Sequence, residues 1–160
     1  MRALLFLALI SIVSCTSPTG KDTENEPKIE NVSVEPKAIA GGEQCYLFIA
    51  VKDTYALKLN IIDNTVKGTA VYKNYEKDSS HGAVEGEVDG DIIHLWYSFQ
   101  SEGMNSVREL YFKKNGDQLT TGIAEEQVKG DSAYVPDKNS VKYSGPVYAE
   151  GDCNSVPVLK

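Results

Sequence analysis

The chain has 160 residues, 41% of them hydrophobic, and its 16 Lys and Arg face 23 Asp and Glu for a net charge of −7. Phosphate backbones and anionic lipid repel a chain of this sign, which argues against nucleic acid and against electrostatic docking on anionic membranes. The length fits one folded domain rather than two.

At the N-terminus, Arg2 supplies a short positive region, and residues 3–13 are apolar apart from Ser11. This is the plan of a secretory signal. The run is too short to cross a bilayer as a helix, which takes about 20 residues. The cleavage region Ile12-Val13-Ser14-Cys15 resembles a bacterial lipobox, with Ile12 standing where Leu is usual. The resemblance implies lipid transfer to the Cys15 thiol, cleavage after Ser14 and acylation of the new amine. Residues 1–14 are then a signal peptide, and the protein is held on a membrane by lipid on Cys15. Each buried methylene adds roughly 0.8 kcal/mol, so two or three acyl chains make a stable anchor. The implied location is the outer membrane, facing either the periplasm or the cell surface. Because Arg2 leaves with the leader, the basic count falls from 16 to 15 against 23 acids.

Residues 15–40 carry the lipidated cysteine and a stretch rich in Thr, Ser, Pro, Lys, Glu and Asn. It has too few apolar residues to fold alone and reads as a flexible tether. The charged run from Lys21 to Glu26 resembles the acidic export signals of surface lipoproteins in Bacteroidota-type bacteria; a solvated linker explains the same residues equally well.

Residues 41–160 read as an antiparallel β-domain. Cys45 and Cys153 flank it, and in an oxidising exported compartment a left-over pair points to a disulfide. That bridge closes a loop of roughly 100 residues, worth up to about 4 kcal/mol. A metal pair has no CxxC spacing and no neighbouring histidine to support it. Between the cysteines the pattern has period two. Tyr55, Leu57, Leu59 and Ile61 share one face, as do Val66, Gly68, Ala70 and Tyr72. Val84, Gly86 and Val88 follow, then Ile93, Leu95, Tyr97 and Phe99, then Arg108, Leu110 and Phe112, then Leu119, Thr121 and Ile123. Asp63-Asn64, Asp89-Gly90 and Asn115-Gly116 mark turns between them. Short strands with regular turn signals predict an all-β fold: a single antiparallel meander barrel or sandwich of about eight strands, lipocalin-like in architecture.

Two polar segments stand out, Glu76–Gly82 and Ser101–Glu109. With the strands around them they resemble small Bacteroidota-type lipoproteins; the resemblance implies a lipoprotein with a β-domain and brings no activity. Arg108 falls on the inward register, and Glu102, beside the Gly103 bend, is its expected carboxylate partner, because an uncompensated charge there is costly. The pair is either a structural bridge at the barrel end or a fork offered to an anionic ligand. Small inward residues at Gly68, Ala70 and Gly86 either leave room for a ligand or accommodate strand coiling and facing aromatics such as Tyr72 and Tyr97. His94 alternates outward beside Trp96 and reads as a surface residue. Glu76, Asp78 and His81 form only a loose trio for a metal. No Gly-x-Ser-x-Gly, HExxH, phosphate loop or dinucleotide pattern is present.

The expectation is therefore a non-enzymatic, lipid-anchored binding module for a small apolar or anionic ligand, with Arg108, Glu102, Tyr72 and Tyr97 as candidate ligand residues. No cofactor, metal or nucleic-acid partner is implied. The alternative is a lipoprotein that binds another protein, such as an inhibitor resembling the membrane-bound lysozyme inhibitors in its anchor and small disulfide-linked barrel. Trp96 and exposed tyrosines on an acidic surface suit a basic partner. A ligand-sized space lined by Gly68, Ala70, Gly86 and Arg108 favours the first reading; a filled interior favours the second.

Overall fold

A computed structural model describes residues 39–101 and 103–156. The leader, Cys15, the expected tether up to residue 38 and Glu102 lie outside the described residues. The strands are β1 (Gly42–Ala50), β2 (Asp53–Ile62), β3 (Thr65–Lys73), β4 (Ser80–Asp89), β5 (Ile92–Ser101), β6 (Met104–Asn115), β7 (Gln118–Ile123), β8 (Gln127–Lys129), β9 (Ser132–Tyr134) and β10 (Lys142–Gly151).

Seven strands, β1 to β7, run as a meander, each antiparallel to the next. β10 then pairs with both β7 and β1, so eight strands close into a barrel. Closure removes the unpaired amides that make an open sheet edge adhesive. β8 and β9 form a small hairpin outside this ring, attached to β6 by the parallel pairs Val107–Ser132 and Arg108–Ala133.

The expected inward register is the observed one. Leu57, Leu59, Ile61, Val66, Val84, Ile93, Leu95, Phe112 and Leu119 are buried together in one core. The alternation follows from side chains pointing to opposite faces along a strand.

β1 and β10 lack that signature, each for a physical reason. β1 reads Cys-Tyr-Leu-Phe-Ile-Ala because both faces are covered: Tyr46 lies in the core, while Cys45 and Leu47 meet Val156 and Cys153 of the C-terminal tail outside. The expected disulfide is present, with Cys45 and Cys153 Cα atoms 5.1 Å apart, and it pins that tail to the barrel wall. β10 contains Pro146 inside a register shift between Tyr143 and Val147. Proline is tolerated at such a bulge because no ladder amide is needed there.

The interior glycines serve coiling and create no ligand space. A Cβ at Gly68 would lie 1.9 Å from the Lys58 carbonyl oxygen, and one at Gly86 would lie 1.9 Å from that of His94. The neighbouring strand occupies the room a side chain would take. Of the two readings of Gly68, Ala70 and Gly86, strand coiling holds and ligand space does not; Ala70 is itself part of the filled core.

Topology gives the barrel two unlike ends. At one end lie the β2–β3, β4–β5 and β6–β7 turns, the start of β1 and the end of β10. A hydrogen-bonded chain plugs it. Lys114 Nζ donates to the Tyr46 hydroxyl and, at 2.9 Å, to Glu150. Tyr46 in turn donates to Gln44, whose amide donates to the Ala40 carbonyl. The opposite end carries the β1–β2, β3–β4 and β5–β6 connections and the long passage from β7 to β10.

Candidate functional site

Just inside that second end, aromatic side chains form a girdle around the wall. Phe48 of β1 meets Tyr55 of β2 at 5.4 Å between ring centroids, Tyr55 meets Tyr72 of β3 at 5.1 Å, and Tyr72 meets Tyr97 of β5 at 5.4 Å. Tyr97 stacks on Phe99 at 4.6 Å, and Phe48 reaches Tyr148 of β10 at 5.8 Å. These are the tilted and offset spacings that aromatic quadrupoles favour. β4 contributes Gly82, cross-strand from Phe99, and Ser80, whose hydroxyl accepts from Tyr97 at 3.0 Å. The Tyr55 hydroxyl donates to Asn74 at 3.0 Å.

The girdle encloses a cavity of about 470 Å³, bounded further by Arg108, Leu110, Thr121, Ile123 and Glu126. That volume falls within the range of small-molecule sites, about 300 to 1,000 Å³. Burial raises the phenol pKa values of Tyr72 and Tyr97 above their ordinary value; hydrogen bonding of Tyr72 with Tyr148 and of Tyr97 with Ser80, and the nearby Arg108 charge, act in the opposite direction. The Tyr148 phenol is likewise raised, by burial and then by Tyr72 beside it. The tyrosines are therefore neutral donors and acceptors at physiological pH.

Three of the four candidate ligand residues, Tyr72, Tyr97 and Arg108, line this one cavity. Glu102 lies outside the described residues. The carboxylate found with Arg108 is Glu126, with Nε to Oε2 at 3.6 Å, where Arg108 is 51% exposed. Arg108 is thus a residue of the mouth, at the inward register expected of it, and its bridge is solvated. An exposed pair of this kind contributes about 1 kcal/mol or less.

The sequence reading missed Glu126, Tyr148 and Glu109. Glu126 follows the last strand of the meander, where no periodicity places it. Tyr148 sits beyond the β10 bulge. Glu109 points out of the barrel yet is nearly buried, because residues between β7 and β10 cover it. It accepts hydrogen bonds from Tyr111 at 2.8 Å and from the Val135 amide at 2.6 Å, and lies 2.7 Å from His94 Nε2. His94 points outward as expected but is not a free surface residue: it stacks on Tyr111 at 4.5 Å. No three metal-ligating side chains converge among the described residues, and His81 is exposed on the outer face of β4.

The fold and the site together define an eight-stranded antiparallel barrel with one plugged end and one open, aromatic-lined end. No protein-family model, curated protein or solved structure matches the chain.

Proposed function

We propose that this protein is a lipid-anchored, non-enzymatic lipoprotein of the cell envelope that binds a small amphipathic molecule in the open half of its barrel. The carrying observation is the cavity itself: a girdle of aromatic rings with one guanidinium at the mouth. Aromatic walls favour a flat apolar body by burial and ring contact. Arg108 offers a planar fork of donors to a carboxylate, sulfonate or phosphate group on that body. Ile39, where the described chain begins, packs against the core and precedes β1 at the plugged end, opposite the mouth.

Native mass spectrometry of protein purified from its own cells tests the reading directly. A retained small molecule that is lost from Arg108→Ala supports it. Retention of a protein and of no small molecule would favour the protein-binding alternative. The anchor is tested by replacing Cys15 with Ala and fractionating the cells: the variant should leave the membrane fraction, and an unchanged distribution would refute the anchor.

A further inference from the structure

β6 and β7 are only half zipped. β6 runs from Met104 to Asn115, yet its pairing with β7 covers only Phe112 to Asn115, ending at Phe112–Thr121. Tyr111 still lies against Gly122, but beyond Phe112–Thr121 the ladder between the two strands is not continued. Leu110 faces the barrel interior, whereas Glu109 and Tyr111 face outward. All three nevertheless line the same cavity, together with Gly122 and Ala124 on the β7 side and Val135 and Val141 from the passage between β7 and β10. The outward Glu109 carboxylate accepts from the Val135 amide, so the passage from β7 to β10 covers this stretch of β6 from outside. The β6–β7 ladder is therefore interrupted beside Glu109 and Leu110, and residues 124–141 lie across the interruption.

The cover is lightly held. β8 is wholly exposed, β9 is only partly buried, and the 3₁₀ turn at Lys138–Ser140 has no buried residue. Its ties to the wall are the two β6–β9 pairs, the Asp131 carbonyl accepting from the Val107 amide, the exposed Arg108–Glu126 bridge, Val141 packed against Gly122 and the Glu109 carboxylate on the Val135 amide. A charge-assisted bond of this type is about twice as strong as a neutral one. Segments with few buried apolar contacts open at a lower free energy than the core.

We propose that residues 124–141 are a flap over a lateral portal, that Glu109 is its latch, and that the amphipathic ligand exchanges through this portal. The inference rests on the small-molecule reading above. Glu109 acts as a positioning residue: it holds the flap through Val135 and is held in turn by His94 and Tyr111. A gate sets the rates of ligand arrival and departure together and leaves the equilibrium nearly untouched, which separates it from a residue that merely contributes affinity.

The test uses 1-anilinonaphthalene-8-sulfonate, an aromatic body with one sulfonate, followed by stopped-flow fluorescence on the full mature protein. Glu109→Gln keeps the shape of the latch and removes its charge. Association and dissociation should both accelerate, by about tenfold for the loss of roughly 1.4 kcal/mol; constancy of Kd is judged on the cysteine-locked variant below, whose two positions lie outside the cavity lining. A second variant, Val107→Cys with Ser132→Cys, joins a pair already in register and should slow both rates at least tenfold once oxidised. If the wild type binds the probe and the locked variant exchanges it as fast as before, the mouth is the route and the portal is refuted. If the wild type binds no probe, the small-molecule reading itself fails and the portal falls with it. Hydrogen exchange checks the flap independently of any ligand. Residues 127–135 should exchange far faster than β5, and faster still in Glu109→Gln. Exchange of this segment only together with β5 would overturn the flap.

Discussion

The plugged half and the open half of the barrel are built on the same strands and differ in what fills them. In the plugged half, aliphatic side chains and Phe112 interdigitate, and Lys114, Tyr46, Gln44 and Glu150 close the end with satisfied polar groups. In the open half, large rings stand around a space they do not fill. Stability resides in the first half, and the freedom to hold a ligand is left to the second. A ring whose neighbours are other rings and solvent loses less on truncation than one surrounded by the core.

Truncations should expose that contrast most strongly. Phe112→Ala, at a fully buried position in the plugged half, should cost about 3 to 5 kcal/mol. Phe99→Ala, half-buried at the mouth, should cost about 1 kcal/mol, within the ordinary range for single substitutions. Urea denaturation of the two variants measures the difference. Equal losses would mean that the open half carries as much of the fold as the plugged half.

The disulfide sharpens the comparison next. Cys45 and Cys153 are 108 residues apart in sequence and tie the tail to the outer wall of β1. Replacing both with Ser should lower stability by about 2 to 4 kcal/mol. Because the bridge lies outside the girdle, the affinity for an anionic aromatic probe should stay within about twofold under conditions where the domain remains folded. A large loss of affinity from folded protein would show that the halves are coupled.

Alkali should strike the open half. The Tyr148 phenol is raised above its ordinary value of 10.0 by burial and by Tyr72. In the unfolded chain it ionises first, so its contribution to stability is whole below about pH 10 and is lost as pH rises beyond that. Each raised phenol steepens the decline by up to about 1.4 kcal/mol per pH unit. Tyr148→Phe should give a flatter stability profile above pH 10 than the wild type, measured by chemical denaturation at stepped pH. An unchanged slope would show that this phenol does not govern the alkaline limb.

Arg108 separates stability from binding. A solvated bridge to Glu126 predicts that Arg108→Ala costs about 1 kcal/mol or less. The same change should weaken binding of an anionic probe at least tenfold and that of an uncharged analogue far less. Loss of several kcal/mol of stability would mean that Arg108 is structural.

Legibility in the sequence follows the same division. β2 to β7 were readable because core-facing apolar residues alternate with outward, mostly polar ones along much of each strand, which writes the period-two pattern directly. Tyr72, Tyr97 and Arg108 could be brought together from register alone, since alternation fixes which side of the wall each occupies. β1 escaped because the tail covers its outer face and removes the polar half of the pattern. β10 escaped because Pro146 and the bulge break its phase. Glu109 escaped for the opposite reason: an outward carboxylate in a strand looks solvated, and only the passage folded over it from residues 124–141 makes it buried. Its cover comes from a segment with no periodicity of its own, so nothing local to Glu109 announces the contact.

The smallest expected effect concerns two turns that match in geometry and differ in residue. Val51 and Asp63 each occupy the first position of a two-residue hairpin, at opposite ends of the barrel, and each has φ 53°. Aspartate tolerates this left-handed conformation through its short polar side chain, whereas a β-branched residue there is a conformational outlier. Val51 is also 99% exposed, so no burial offsets the strain. Val51→Asn should therefore stabilise the domain by about 0.5 to 1 kcal/mol, read as a rise in the urea midpoint with an unchanged slope. The matching exchange at the plugged end, Asp63→Val, should destabilise by a similar amount. If both hold, the open end keeps a strained apolar tip that folding does not require, and the effect of Val51→Asn on ligand exchange becomes the decisive measurement. A Val51→Asn variant that is no more stable than the wild type would remove the strain, and with it the distinction between the two turns.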